Sequence, residues 1–171
     1  MTPRGWDTPR TTWALITLLC ASAVGLALVG QHVWGHEPCP WCVLQRVIMM
    51  AIGLCALLGM CWLWARAPWL VGLPVALLSV LGGACAIWQY TVAAQSASCN
   101  LTLADKILYA SGLDGAWPDV FAPRASCAEA NHALLGVPYA LWALLVFAII
   151  LAASVRLMRL HARAPLSTPA P

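Results

Sequence analysis

The stretch Pro38-Cys39-Pro40-Trp41-Cys42-Val43-Leu44-Gln45-Arg46 holds two cysteines at C-x-x-C spacing. Such a dithiol exchanges two electrons by passing through its thiolate to a disulfide. If a helix begins near Cys42, Gln45 and Arg46 lie three and four residues along it and share its face. The helix N-terminus and the Arg46 charge then both favour a thiolate at Cys42. Arg46 has a second reading, as a side chain that snorkels from the hydrocarbon edge to the interface. Gln45 suits either a hydrogen bond to a ligand or one to a neighbouring helix.

A second pair, Cys99 and Cys127, is separated by residues 100–126. Closed as a structural disulfide, a loop of that length contributes roughly 3–4 kcal/mol. Beside a C-x-x-C on the same side of a membrane, thiol–disulfide exchange between the pairs is the alternative. Cys20, Cys55, Cys61 and Cys85 lie in apolar segments and read as small apolar fillers. His32 and His36, one helical turn apart, read as interfacial polar groups and candidate proton handlers. A metal set built from them with Cys39 and Cys42 lacks the tight paired spacing of zinc motifs, so no metal site is expected.

The elements that carry these residues are apolar. Of 171 residues, 62% are apolar and only 9% charged, against about 25% charged in a soluble domain; mean hydropathy is +0.81. Four long stretches approach the ~20 residues that cross a bilayer. The expected fold is an all-α integral membrane protein: a single membrane domain with a four-transmembrane-helix bundle at about 13–31, 43–64, 69–90 and 137–156. Lipid-spanning segments must satisfy their own backbone, which helices do. The first stretch exceeds the 7–15 residues of a signal-peptide core and is read as a spanning helix.

Four crossings put both tails, 1–12 and 157–171, on one side with the 65–68 turn. That side carries Arg4, Arg10, Arg66, Arg156, Arg159 and Arg163 against Asp7. The other side, with the loops 32–42 and 91–136 and the helix ends that flank them (31–46 and 89–136 in all), carries Arg46, Lys106 and Arg124 against Glu37, Asp105, Asp114, Asp119 and Glu129. The positive-inside bias places the termini in the cytoplasm and both loops outside, in a compartment that permits disulfides. Trp13, Trp34, Trp62, Trp64, Trp69 and Trp88 lie near expected helix ends, as in an aromatic belt. Thr102, with Asp105 in the first turn, can cap a short amphipathic surface helix whose Leu103, Ile107 and Ala110 share a face. Ala21 and Gly25, then Gly82, Gly83 and Ala86, are candidates for close helix packing. Pro138 fits the first turn of helix four. The tail after Arg156 is expected to be disordered.

With these motifs in place the chain resembles the disulfide bond formation protein B (DsbB) family, bacterial quinone-coupled thiol oxidases, over about residues 13–155. The resemblance rests on Pro38-Cys39-Pro40-Trp41-Cys42 before helix two, Gln45-Arg46 just inside it, and Cys99 and Cys127 in the second loop. Cys127-Ala128-Glu129-Ala130 followed by Leu135-Gly136-Val137-Pro138-Tyr139-Ala140-Leu141-Trp142 also looks like the family's approach to helix four. It implies a multi-pass protein of the bacterial inner membrane with periplasmic redox loops. A periplasmic thioredoxin-like, DsbA-type dithiol partner would be oxidised at Cys99. Cys127 would then pair with the inner dithiol through Cys39, and Cys42 would pass electrons to a quinone (ubiquinone or menaquinone) near Arg46 and Gln45. The resemblance also implies a polar group at the outward end of helix three, for which Gln89, Tyr90 and Gln95 are the candidates. Membrane lipid is a further expected partner, and nucleic acid is not. Two alternatives stand beside it. One is a relative of vitamin K epoxide reductase, although there the loop cysteines precede the C-x-x-C. The other is a non-enzymatic membrane metal-binding or scaffold protein with a structural disulfide.

Overall fold

The computed structural model describes residues 7–60, 68–95, 102–130 and 132–163. Four of its helices are long and apolar enough to cross a membrane. They are α1 (Asp7–Trp34), α2 (Pro40–Leu58), α3 (Pro68–Thr91) and α7 (Tyr139–Arg163). Between α3 and α7 lie α4 (Leu103–Ser111), two single turns, α5 (Leu113–Ala116) and α6 (Pro118–Phe121), and a two-residue-strand hairpin, β1 (Ala133–Leu134) with β2 (Val137–Pro138). Cys61, Trp62, Trp64, Arg66 and Cys99 lie outside the described residues.

Helix α2 begins ahead of the expected residue 43. Pro40 occupies the first helical position, where its fixed φ is already helical and its missing N–H is no loss. Cys39 is the N-cap: its extended backbone (φ −85°, ψ 166°) lets its sulfur accept the Cys42 N–H at 3.4 Å. The C-x-x-C is therefore the first turn of a helix, not a loop ahead of one.

The bundle is held by α1 against α2, α2 against α3, and α3 against α7. On α1 the buried stripe is Trp13, Ile16 and Cys20, spaced three and four apart. Trp13 is wholly buried and so belongs to the core rather than to an aromatic belt, whereas Trp34, Trp69 and Trp88 are exposed near helix ends. The pair Ala21 and Gly25 does not make the close contact its spacing suggested. Ala21 is exposed, and a Cβ at Gly25 would meet nothing within 4 Å. The stripe formed by Trp13, Ile16 and Cys20 already supplies the packed face and turns those two outward. Helix α3 does use its small residues: the Phe147 ring of α7 occupies the space a Cβ on Gly82 would need, and Ala86 is buried.

Both loops meet at one end of the bundle. The Arg124 and Ala125 amides donate to the Pro38 carbonyl at 2.9 and 3.3 Å. Helix α4 has the anticipated start: Thr102 Oγ1 accepts the Asp105 N–H, and Asp105 Oδ2 accepts the Thr102 N–H at 2.7 Å. Ala104 and Leu108 are buried, Leu108 in a cluster with Val43 and Phe121, so α4 packs down on α2. Its other apolar residues, Leu103 and Ile107, face outward and are exposed. Gly112 ends the helix in the left-handed conformation (φ 67°).

Pro138 is not in the first turn of the last helix. Ala133 pairs with Pro138 and Leu134 with Val137, across a turn whose Leu135 and Gly136 both have positive φ. The hairpin takes these residues, and α7 starts at Tyr139.

Candidate functional site

The site lies where the first turn of α2 meets the end of α3 and the folded second loop. Cys39 is fully buried, and its sulfur is 2.9 Å from that of Cys42. On its other side Cys39 hydrogen-bonds Cys127, itself buried. The Cys127 contact, reinforced by Cys42 and by burial, pushes the Cys39 thiol far above the ordinary thiol range. The same contact draws Cys127 below it. Of these two neighbours Cys39 keeps its proton and Cys127 is the readier thiolate. Cys39 thus bridges the loop cysteine and the cavity-facing cysteine, and a relay of thiol–disulfide exchange through the three needs only short sulfur displacements.

Cys42 touches a glutamine, not the arginine. Gln89 Nε2 donates to Cys42 Sγ at 3.1 Å, and Gln89 Oε1 accepts from Gln45 Nε2 at 2.7 Å. Gln45 and Gln89 are both buried. Tyr90 and Gln95 are exposed, so among the three polar candidates near the end of α3 only Gln89 faces the dithiol.

Arg46 is 7% exposed and does not snorkel. Its Nη1 donates to Gln31 Oε1 at 2.6 Å and to the Val120 carbonyl at 3.1 Å, and its Nη2 donates to the Ala27 carbonyl at 3.4 Å. Among the described residues no carboxylate pairs with it; dipoles on α1 and α6 hold the charge. Gln31 completes the arrangement by donating Nε2 to the Asp119 carbonyl at 3.1 Å.

Cys42, Gln45, Arg46 and Gln89 line one end of a cavity of about 270 Å³ between α1, α2 and α7. Most of the remaining wall is apolar, including Val24, Leu26, Met49, Ala143 and Val146. At the loop end His36, Glu37, His132 and Tyr139 line it as well. Such a chamber takes a flat polar head with an apolar tail, a few polar groups fixing the head and the apolar wall receiving the rest. His32 points outward and is exposed. Among the described residues no three His, Cys, Asp or Glu side chains come together as a metal set.

The structure thus brings together Cys39, Cys42, Cys127, Gln45 and Arg46 at one site; Cys99 lies outside the described residues. Gln31 and His132 had no place in the sequence reading, and Tyr139 stood there only within the approach to helix four, with no role at the site. Gln31 carries a usable signal, a polar amide in the last turns of an apolar helix. His132 and Tyr139 carry none, because only the hairpin turns them toward the cavity.

A sequence model of the family described as "Disulfide bond formation protein DsbB" matches residues 9–157. The chain is 34% identical over 170 residues to the disulfide bond formation protein B of Verminephrobacter eiseniae, covering 92% of this chain and 94% of that one. It is 32% identical to the protein of that name from Aromatoleum aromaticum, covering 81% of this chain and 89% of the relative. It is 33% identical to disulfide bond formation protein B 1 of Pseudomonas aeruginosa, covering 81% and 88%.

Proposed function

The chain belongs to the DsbB family of disulfide bond formation proteins, and from that premise we propose that it reoxidises a periplasmic DsbA-like dithiol protein with a membrane quinone as terminal electron acceptor. Membership and its four spanning helices make it a multi-pass membrane protein of disulfide bond formation with a disulfide oxidoreductase role. The observation that carries the finer reading is that Cys42 opens onto the apolar cavity shared with Arg46, while Cys39 behind it reaches Cys127.

The residues fit a quinone. The cavity pairs a polar end, with donors from Gln89 and Arg46, with an apolar wall suited to an isoprenoid tail. A quinone supplies a lipid-soluble acceptor of two electrons and two protons. The protein's own steps are thiol–disulfide exchanges that balance electron for electron. The partner's dithiol is oxidised as the Cys99–Cys127 disulfide is reduced; that dithiol is oxidised in turn as the Cys39–Cys42 disulfide is reduced. Each exchange forms a mixed disulfide and releases a thiolate. Cys127, the immediate neighbour of Cys39, is placed to attack it. Arg46 and Gln45 position the acceptor beside Cys42. The arginine-rich termini support a cytoplasmic location for both ends and a periplasmic one for the loops, in the bacterial inner membrane.

The test is quinone reduction by the purified full-length protein given a reduced thioredoxin-fold donor and a short-chain ubiquinone or menaquinone. Turnover that stops in Cys42→Ser supports the reading. Absence of quinone reduction by the unaltered protein, or full activity in Cys42→Ser, overturns it.

A further inference from the structure

We propose that His36, His132 and Tyr139, with Glu37 as the outer member, form a proton relay that feeds the cavity from its loop end. The inference rests on the acceptor reading above and deepens it. Oxidation of two thiols to a disulfide releases two electrons and two protons; the quinone, as acceptor, takes up both electrons and two protons. Apart from Cys42, Gln45, Arg46 and Gln89, most of the remaining wall is apolar, so those protons need a path made of groups that can both bind and release one.

The only cluster of such groups along this cavity, among the described residues and apart from the dithiol and Arg46, is at the loop end. The His36 and His132 rings stack with centroids 4.4 Å apart and planes 19° from parallel. His36 Nδ1 is 3.4 Å from the Tyr139 hydroxyl, and all three side chains line the cavity. Glu37 lines it as well; its Oε2 is buried with no hydrogen-bond partner among the described residues, although the residue as a whole is half-exposed. A carboxylate that bridges solvent and interior beside an imidazole pair is suited to collecting protons from outside.

The surrounding charges leave this cluster as the route. From α1 the cavity receives Ala23, Val24, Leu26, Ala27 and Gly30, none of them titratable; from α3 it receives only the neutral Gln89. From α2 it receives Cys42 and Arg46, and Arg46 already donates to Gln31, Val120 and Ala27. From α7 it receives Tyr139 alone among titratable groups, and from the loops His36, Glu37 and His132. Arg46 cannot release its proton near neutral pH, so proton delivery falls to the loop-end cluster.

The test uses the full-length protein in phospholipid nanodiscs with ubiquinone-1 as probe, comparing the unaltered chain with His36→Ala and Tyr139→Phe. Binding is read from quenching of tryptophan fluorescence, Trp142 being in the cavity wall. Turnover is read from pH 6 to pH 8, with and without added imidazole. A relay predicts that both variants still bind ubiquinone-1 but lose about 100-fold or more in kcat, the usual contribution of a positioned proton donor. The loss should be larger at pH 8, where bulk protons are scarcer, and imidazole should restore much of it in His36→Ala. Bound ubiquinone-1 with unchanged kcat and pH profile in both variants overturns the relay alone. So does a loss confined to binding, which would make the cluster a packing feature. Failure of the unaltered protein to bind or reduce ubiquinone-1 overturns the acceptor reading, and the relay with it.

Discussion

Gln31 Oε1 accepts a hydrogen bond from Arg46 Nη1 at 2.6 Å while its Nε2 donates to the Asp119 carbonyl at 3.1 Å. A single neutral side chain thereby joins α1 to the buried cation on α2 and to the turn that closes the second loop. Arg46 reinforces the tie through the Val120 carbonyl. The position of the charge beside the cavity and the position of the loop are set by one network.

Replacing Gln31 with Leu should therefore destabilise the protein by about 1–3 kcal/mol, the cost of a buried donor losing its acceptor. Thermal unfolding in detergent would read this as a lowered midpoint. An unchanged midpoint would mean that Arg46 finds an equivalent acceptor without Gln31.

Gln89 holds the Cys42 sulfur and the Gln45 amide at once. Gln89→Ala removes both contacts and should weaken apparent quinone affinity by about tenfold, roughly 1.4 kcal/mol. The KM for a short-chain quinone is the measurement; a KM equal to that of the unaltered protein would remove Gln89 from the binding wall.

The Cys39–Cys127 contact makes opposite pH predictions for its two members. A thiol whose pKa is lowered ionises at lower pH, so Cys127 in the fully reduced protein should reach half-maximal alkylation below the ~8.5 of a free cysteine. Cys39, held protonated by the same contact, should stay unlabelled as pH rises through that range. Peptide mass spectrometry after iodoacetamide at graded pH reads both sites. In Cys39→Ala the Cys127 midpoint should move up, and a midpoint that stays put would show that Cys39 is not the cause.

Two glycines in different helices should respond oppositely to a methyl group. At Gly82 the Phe147 ring fills the site, so Gly82→Ala should cost about 1–3 kcal/mol as overpacking. At Gly25 nothing lies within 4 Å, so Gly25→Ala should be neutral or stabilising by up to ~1 kcal/mol through helix propensity. Denaturation midpoints of the two variants, measured side by side in one detergent, decide it; equal shifts would contradict the packing described.

Hydropathy and the spacing of Cys39, Cys42, Gln45 and Arg46 were legible without coordinates, because they depend on near neighbours along one helix. So was the capping box at Thr102 and Asp105, a contact three residues long. The packing role of Ala21 and Gly25 was misread because a small-residue spacing says which residues can approach a neighbour, not which face the neighbour occupies. Trp13 was misread for a similar reason: position near a helix end does not reveal whether the side chain turns to lipid or to the core.

The sequence by itself determined the four apolar spans, the C-x-x-C dithiol and the family, since each is written in local composition and short spacings. Only the tertiary structure decided what those groups touch. It put Gln89 rather than Arg46 on the Cys42 sulfur, tied Arg46 to Gln31 and the 118–121 turn, and set His132 and Tyr139 beside His36. These contacts join residues from 15 to 103 positions apart. Their partners are selected by how the helices pack and how the second loop folds back, which no local pattern along the chain encodes.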